Sequence, residues 1–199
     1  MNDYVDFGNN ASLSMGTGDA TVSLWAKFDN ATAPQRETLV DCWSTTAGNP
    51  GYLLVRDNGT SKLHVWFCDG SATTPESDLS ASGSLGSATW YNIVLVFSRS
   101  SVAQAYINGI KQSSSLNISG YPGNVQNSYS LRVGALDSST WRFAGKMDEV
   151  RLYNAAMPIS QIKEQYYASL NKLFAEGGIS KEEYLSRINE TGNSMAEAR

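Results

Sequence analysis

An all-β sandwich followed by a C-terminal α-helical hairpin is the fold class that the sequence predicts. Three features carry it. Up to about Leu152 the chain is a series of short runs in which apolar and polar residues alternate, parted by turn residues; this is the pattern of a sandwich or barrel. Asn58-Gly59 and Asn108-Gly109 supply the two positive φ values of a type I′ turn, so each is expected to close a tight hairpin. After Pro158 the apolar spacing becomes that of a helix. The expected boundaries are a β domain over 1–157 and a helical extension over 158–199.

The elements follow in order. "DYVDFG" puts Asp3, Val5 and Phe7 on one face of a first strand. "GTGDAT" at 16 to 21 precedes a strand rather than a helix, so it is a turn and not a phosphate loop. "ATVSLWAKF" alternates Val22, Leu24, Ala26 and Phe28 with Thr21, Ser23, Trp25 and Lys27. Trp25 and Trp90 are expected in the core. "TLVDCW", "GYLLV" and "KLHVWFC" read as three successive antiparallel strands. In the second, Tyr52/Leu54/Arg56 and Leu53/Val55 both qualify as the inward set. In the third, Leu63, Val65 and Phe67 alternate with His64, Trp66 and Cys68.

Cys42 and Cys68 then lie on strands two apart, roughly 9 to 10 Å from each other. That is beyond a disulfide's reach unless the middle strand starts late, so bridging stays open. Residues Ile93 to Phe97 are apolar on both faces and need a cover on the second one, from the opposite sheet, a C-terminal helix or another subunit. In the tail, Ile159, Ile162, Tyr166, Leu170, Leu173 and Phe174 form an apolar stripe. Gly177-Gly178 ends that helix. "SKEE", Ser180 to Glu183, is a capping box that opens a second one, with the last eight residues frayed. The stripe packs either on the sandwich or against another subunit.

At 199 residues the chain can bury roughly two thirds of its unfolded surface without metal or disulfide staples. Charged residues are 17%, low for a globular protein, with Ser, Thr, Asn and Gly in their place, as in many exported β proteins. A net charge of −4 and a pI near 5.0 exclude a nucleic-acid binder, which needs clustered Lys and Arg. No run is long enough to insert in a membrane. The chain starts almost directly in a strand, without a signal segment, so an upstream signal or anchor region is expected to be missing. Asn-x-Ser/Thr patterns stand at Asn10, Asn30, Asn58, Asn117 and Asn189, where about three would arise by chance in so Asn- and Ser-rich a chain, so they are a weak signal of glycosylation.

"WYNIV", "YING" and "GKMDEVRLYNAAM", in that order after the first two strand pairs, are similar to the laminin G-like jelly-roll domain of the concanavalin A-like lectin and glucanase superfamily. The resemblance runs from residue 1 to about 165 and does not reach the helical hairpin from Asn171 onward. It implies two stacked antiparallel sheets in a jelly roll, an extracellular or cell-surface setting, and binding of carbohydrate or a surface protein. Hydrolytic relatives carry an E-x-D-x-x-E strand. "ESDLSA" offers Glu76 and Asp78 but Ala81 where the second Glu should stand, so no enzyme is expected.

Asp148 and Glu149 pose the sharpest question. Counting back from Leu152 and Val150 by strict alternation puts Asp148 inward and Glu149 outward. Carboxylates on opposite faces of a strand cannot flank one glycosidic bond. An inward Asp148 must be paired, hydrogen-bonded or coordinated. The resemblance implies a structural calcium held by Asp148 and by carbonyls of the first strand, near Phe7 to Asn9. The other reading is a carboxylate that accepts backbone N–H groups or pairs with Arg142 or Lys146. Glu149 is expected to pair with Arg151 or with a neighbouring strand on the surface.

Sugar rings present apolar C–H faces to indoles and hydroxyls to polar side chains. Trp66 and His64 on one strand, Trp43 at the end of another, and Tyr121 and Trp141 in loops form a candidate ligand surface; the alternative is that each packs against a loop or the tail. The expected function is a non-catalytic recognition module for a glycan or a surface protein. The alternative is a structural subunit of a filament, virion or surface layer, oligomerising through its C-terminal helices.

Overall fold

The computed structural model describes residues 4–43, 48–71, 73–80, 85–136 and 140–196, with side chains up to 192. Asp3 and Ala81 lie outside them. The strands are β1 (Val5–Asp6), β2 (Ala20–Phe28), β3 (Glu37–Cys42), β4 (Gly51–Arg56), β5 (Leu63–Cys68), β6 (Glu76–Asp78), β7 (Trp90–Phe97), β8 (Val102–Ile107), β9 (Ile110–Asn117), β10 (Arg132–Val133) and β11 (Gly145–Tyr153). The helices α1 (Ile159–Ala175) and α2 (Lys181–Ala196) follow. One sheet runs β1-β10-β3-β4-β5-β6 and the other β11-β2-β7-β8-β9, with the strands antiparallel throughout. The expected two-sheet sandwich with a helical hairpin is the observed fold.

Alternation builds the space between the sheets. Val22, Leu24, Ala26 and Phe28 of β2 meet Leu63, Val65 and Phe67 of β5 and Ile93, Leu95 and Phe97 of β7 in one core. Each of the larger side chains contributes about 1.5–3 kcal/mol by leaving water. Both candidate sets of β4 are buried, on opposite faces. Tyr52 and Leu54 enter the core, while Leu53 and Val55 lie under an outer aromatic layer.

The second face of β7 is covered by the protein's own tail: Val94 and Val96 pack against Met157 and Ile162. Trp25 is buried, but not between the sheets. It sits between β2 and α1, its ring 5.9 Å from that of Tyr166, and Trp90 packs on the same cluster. Trp25 is thus in the core as expected, in a second cluster outside the sandwich, whereas Trp90 is only partly buried against it. Ile162, Tyr166 and Leu170 are fully buried within the chain. Helix α1 ends where Gly177, at φ +73, lets Gly178 N–H reach the Leu173 carbonyl at 2.8 Å. Ser180 Oγ then accepts Glu183 N–H at 3.1 Å. Helix α2 continues to Ala196, beyond the start of the expected frayed segment. No helix among the described residues is long and apolar enough to cross a membrane.

Asn108 and Gly109 hold φ of 53° and 74° in the two-residue turn between β8 and β9. Asn58-Gly59 does not make such a turn. Asp57 N–H bonds Lys62 across four intervening residues, and Ser61 takes the second positive φ. The longer loop persists because buried Ser61 is anchored, its hydroxyl accepting from Ala33 N–H at 3.0 Å. The Asn108-Gly109 turn also locks the tail: a Cβ on Gly109 would stand 3.0 Å from the Tyr166 ring and 3.3 Å from Thr191. Gly109→Ala is expected to cost about 1–3 kcal/mol through the positive φ and that contact, read by urea unfolding, with α2 amides losing hydrogen-exchange protection first.

Cys42 and Cys68 are free. Cys42 faces Tyr52, which faces Phe67 on the next strand, so the two thiols are separated by β4 as the strand order required. Burial pushes the Cys42 thiol up to about 11. One feature escaped the sequence reading altogether. Arg56 and Glu37 form a buried ion pair at 2.7 Å, with side chains 0% and 1% exposed. Arg56 also donates to the Asn30 and Ala31 carbonyls at 2.9 and 2.8 Å and lies over the Phe28 ring.

Candidate functional site

Of the expected aromatic residues, Trp43, Trp66 and Trp141 come together on the outer face of the six-stranded sheet, over a floor of Leu53, Val55 and Leu136. They line an open cleft of about 490 Å³, with Arg36, Thr74 and Glu76 on its walls. This is within the size range of small-molecule sites. Trp66 is there because the period of β5 points it away from Val65 and Phe67. Trp43 follows β3 directly, its N–H donating to Asp41 Oδ1 at 2.9 Å. Trp141 is set by backbone: its carbonyl accepts Thr38 N–H at 2.8 Å, after a Leu136–Thr140 bridge. It holds φ of +46°, an unfavourable value for a bulky residue.

Arg36 caps two of the indoles. Its guanidinium carbon is 4.9 Å from each of the Trp66 and Trp141 ring centres, which are themselves 6.0 Å apart. Its Nε donates to Asp57 Oδ1 at 2.8 Å. His64 packs on Trp66 at 4.1 Å. Its Nδ1 is 2.7 Å from Asp78 Oδ1 and its Nε2 3.4 Å from Glu76 Oε2. A carboxylate only accepts, so Nδ1–H points at Asp78. The imidazole thereby fixes one edge of Trp66 and aligns the β6 carboxylates beside the cleft. Such a surface offers stacking faces, an arginine fork and carboxylate acceptors around an apolar floor.

Tyr121 is not part of this face. It packs on the main core, and its carbonyl accepts from buried Arg99 at 2.6 Å, which draws that loop inward. Arg36 and Glu76 were missed as cleft residues. Arg36 lies two positions before outward-facing Thr38 and so was within reach of alternation. A bulge between Thr38 and Val40 breaks the count from the apolar end of β3.

Asp148 is not inward, which corrects the strict alternation. The register shifts between Asp148 and Arg151, and Glu149, at φ +55°, is the extra residue of a bulge. Met147, Val150 and Leu152 therefore pack on the core, while Asp148 is exposed opposite Trp25. Both acids line a small pocket of about 60 Å³ under α1, with Trp25, Trp90, Lys172 and Glu176. They are thus on one side, against expectation. That pocket is far below the roughly 300 Å³ of ligand sites. Its acids are also engaged: Asp148 Oδ1 accepts Glu149 N–H at 2.7 Å, and Glu149 pairs with Arg151 and Lys172.

The residues do not fit the expected calcium. Strand β1 belongs to the other sheet, paired with β10 rather than β11, and Asp148 is exposed on the outer side of its own sheet, under α1, so it turns away from the first strand. Among the described residues no group of three or more His, Cys, Asp or Glu side chains forms a metal cluster. Exchange of calcium for EGTA is expected to leave the melting temperature of wild type and Asp148→Asn unchanged. A calcium-dependent rise lost in the variant would restore Asp148 as a ligand.

Comparison with known proteins bears on the whole of this architecture. No curated protein sequence matches the chain. Among solved structures, the binding domain of Paraclostridial Mosquitocidal Protein 1 superposes with a TM-score of 0.67 at 15% identity, over 84% of this chain and 41% of that one. The botulinum neurotoxin serotype G binding domain gives 0.61 at 12%, over 84% and 45%. The serotype D ligand binding domain in complex with N-acetylneuraminic acid gives 0.62 at 14%, over 84% and 40%. The chain spans less than half of each of these, and at such identities the likeness is one of fold. A laminin G family model covers residues 1–163, ending just inside α1, and so the chain belongs to the concanavalin A-like lectin/glucanases superfamily.

Proposed function

We propose that this protein is a non-catalytic recognition module that binds carbohydrate in the cleft of Trp43, Trp66 and Trp141. The observation that carries the reading is the gathering of these three indoles, from three separate segments, on a sheet face that the described residues leave open, with polar groups at the rim. Aromatic residues left together at a surface cost solvation unless they meet a ligand. Flat indole faces beside Arg36, His64 and Glu76 suit a sugar's alternating C–H and hydroxyl surfaces. The superfamily includes lectins, and a structure of similar fold is that of a toxin domain in complex with N-acetylneuraminic acid; both support the choice of carbohydrate over protein. We infer an extracellular or surface setting from the same membership.

The structural-subunit alternative drew on the apolar tail. Ile162, Tyr166 and Leu170 are spent on the chain's own sandwich, so the mass by light scattering is expected to be independent of concentration. A mass rising with concentration would favour assembly through the helices. The reading itself is tested on a broad glycan array followed by calorimetry. At least one glycan class should bind, and complete failure across the array would overturn it.

A further inference from the structure

We infer that the cleft selects sugars bearing a carboxylate, and that Arg36 is the residue that reads it; the inference rests on the carbohydrate reading above. Arg36 is held from three sides. Asp57 takes its Nε at 2.8 Å, and the Trp66 and Trp141 rings support its guanidinium at 4.9 Å each. Among the described residues neither Nη atom has a hydrogen-bond or ion-pair partner, and the side chain is 35% exposed. The two nitrogens carry four N–H donors in one plane, immobilised before any ligand arrives. A planar fork of this kind matches a carboxylate, which accepts two parallel bonds, better than it matches separate hydroxyls.

Asp57 offsets the charge of Arg36 but leaves its outward donors free, so the selection is by geometry as much as by net charge. Glu76, 53% exposed and on the far strand of the cleft, supplies the opposite pole. It repels a second acid and accepts sugar hydroxyls. The ligand is thereby oriented, with its carboxylate at Arg36 and its hydroxyl-rich edge toward Glu76 and His64. Charge-assisted bonds exceed neutral ones by enough to make the acid bind roughly tenfold tighter than its uncharged counterpart.

The experiment uses glucuronate, galacturonate and N-acetylneuraminate, as short oligosaccharides, each beside its own methyl ester. The ester keeps the ring and loses the charge. Calorimetry on wild type is expected to give at least one acid about tenfold tighter than its ester. Arg36→Gln should erase that preference, the acid then binding no tighter than its own ester. Arg36→Lys, which keeps the charge without the fork, should retain only a minor part of it. Glu76→Gln should tighten acid binding or leave it unaltered. If every acid and ester bind equally, or only neutral glycans bind, the carboxylate inference is overturned while the carbohydrate reading stands. If Arg36→Gln leaves the acid preference intact, Arg36 is not its reader.

Discussion

Replacing Arg56 by alanine is expected to remove about 3–5 kcal/mol of folding stability. Breaking a buried ion pair strands the remaining charge. Here Glu37 would keep a carboxylate 1% exposed with nothing to balance it, and the Asn30 and Ala31 carbonyls would lose their donor. At roughly 2–4 °C per kcal/mol for a chain of this size, the melting temperature should fall by about 6–20 °C. The joint replacement Glu37→Leu with Arg56→Met should recover most of that loss, because no charge is then left behind.

The defect should also depend on pH. Burial already holds the Glu37 carboxyl above its ordinary value of 4.5, against the pull of Arg56. Without Arg56 that upward shift must grow. A carboxyl whose folded pKa is raised contributes stability that is present below the unfolded pKa and lost as pH rises through the folded one. The Arg56→Ala variant should therefore lie closest to wild type near pH 4 and fall behind toward pH 7. Thermal unfolding at both values reads this, and an equal deficit at the two would mean that the loss comes from packing rather than from a stranded charge.

Replacing Trp66 by alanine is expected to weaken glycan binding by about 2 kcal/mol or more, at least roughly thirtyfold in Kd. Trp66 is central to the cleft. It touches His64 on one side, Trp141 on the other and Arg36 above, so its loss removes a stacking face and loosens the arginine fork together. The main core does not include it, and the far-ultraviolet spectrum should be that of wild type. A folded Trp66→Ala variant that binds like wild type would move the binding site elsewhere.

How far the sequence revealed this architecture depends on where its periods are unbroken. In β5 no irregularity intervenes, and alternation placed Leu63, Val65 and Phe67 inside and His64 and Trp66 outside, as observed. The doubly apolar run of β7 correctly demanded a cover, which the tail supplies. Alternation failed at bulges. One extra residue at Glu149 turned Asp148 outward and undid both the calcium geometry and the argument about opposite faces. A second bulge, in β3, hid the relation of Arg36 to the cleft. Bulges leave no dependable mark in a single sequence, because the residue that adopts the positive φ is here an ordinary glutamate rather than glycine. Long-range partners were equally out of reach. Nothing near Tyr121 announces that Arg99 will hold its carbonyl, and nothing near Asn58 announces that Ser61 will be anchored by Ala33.

The chain has five tryptophans, and they divide cleanly between two places. Trp43, Trp66 and Trp141 line the cleft, while Trp25 and Trp90 sit under α1. A titration of the five indole N–H signals with a glycan that binds, followed by nuclear magnetic resonance, therefore locates the bound sugar. The cleft requires the signals of Trp43, Trp66 and Trp141 to move and saturate together while those of Trp25 and Trp90 stay in place. Saturable glycan binding that leaves the three cleft signals unmoved, or that shifts Trp25 and Trp90 instead, would contradict it.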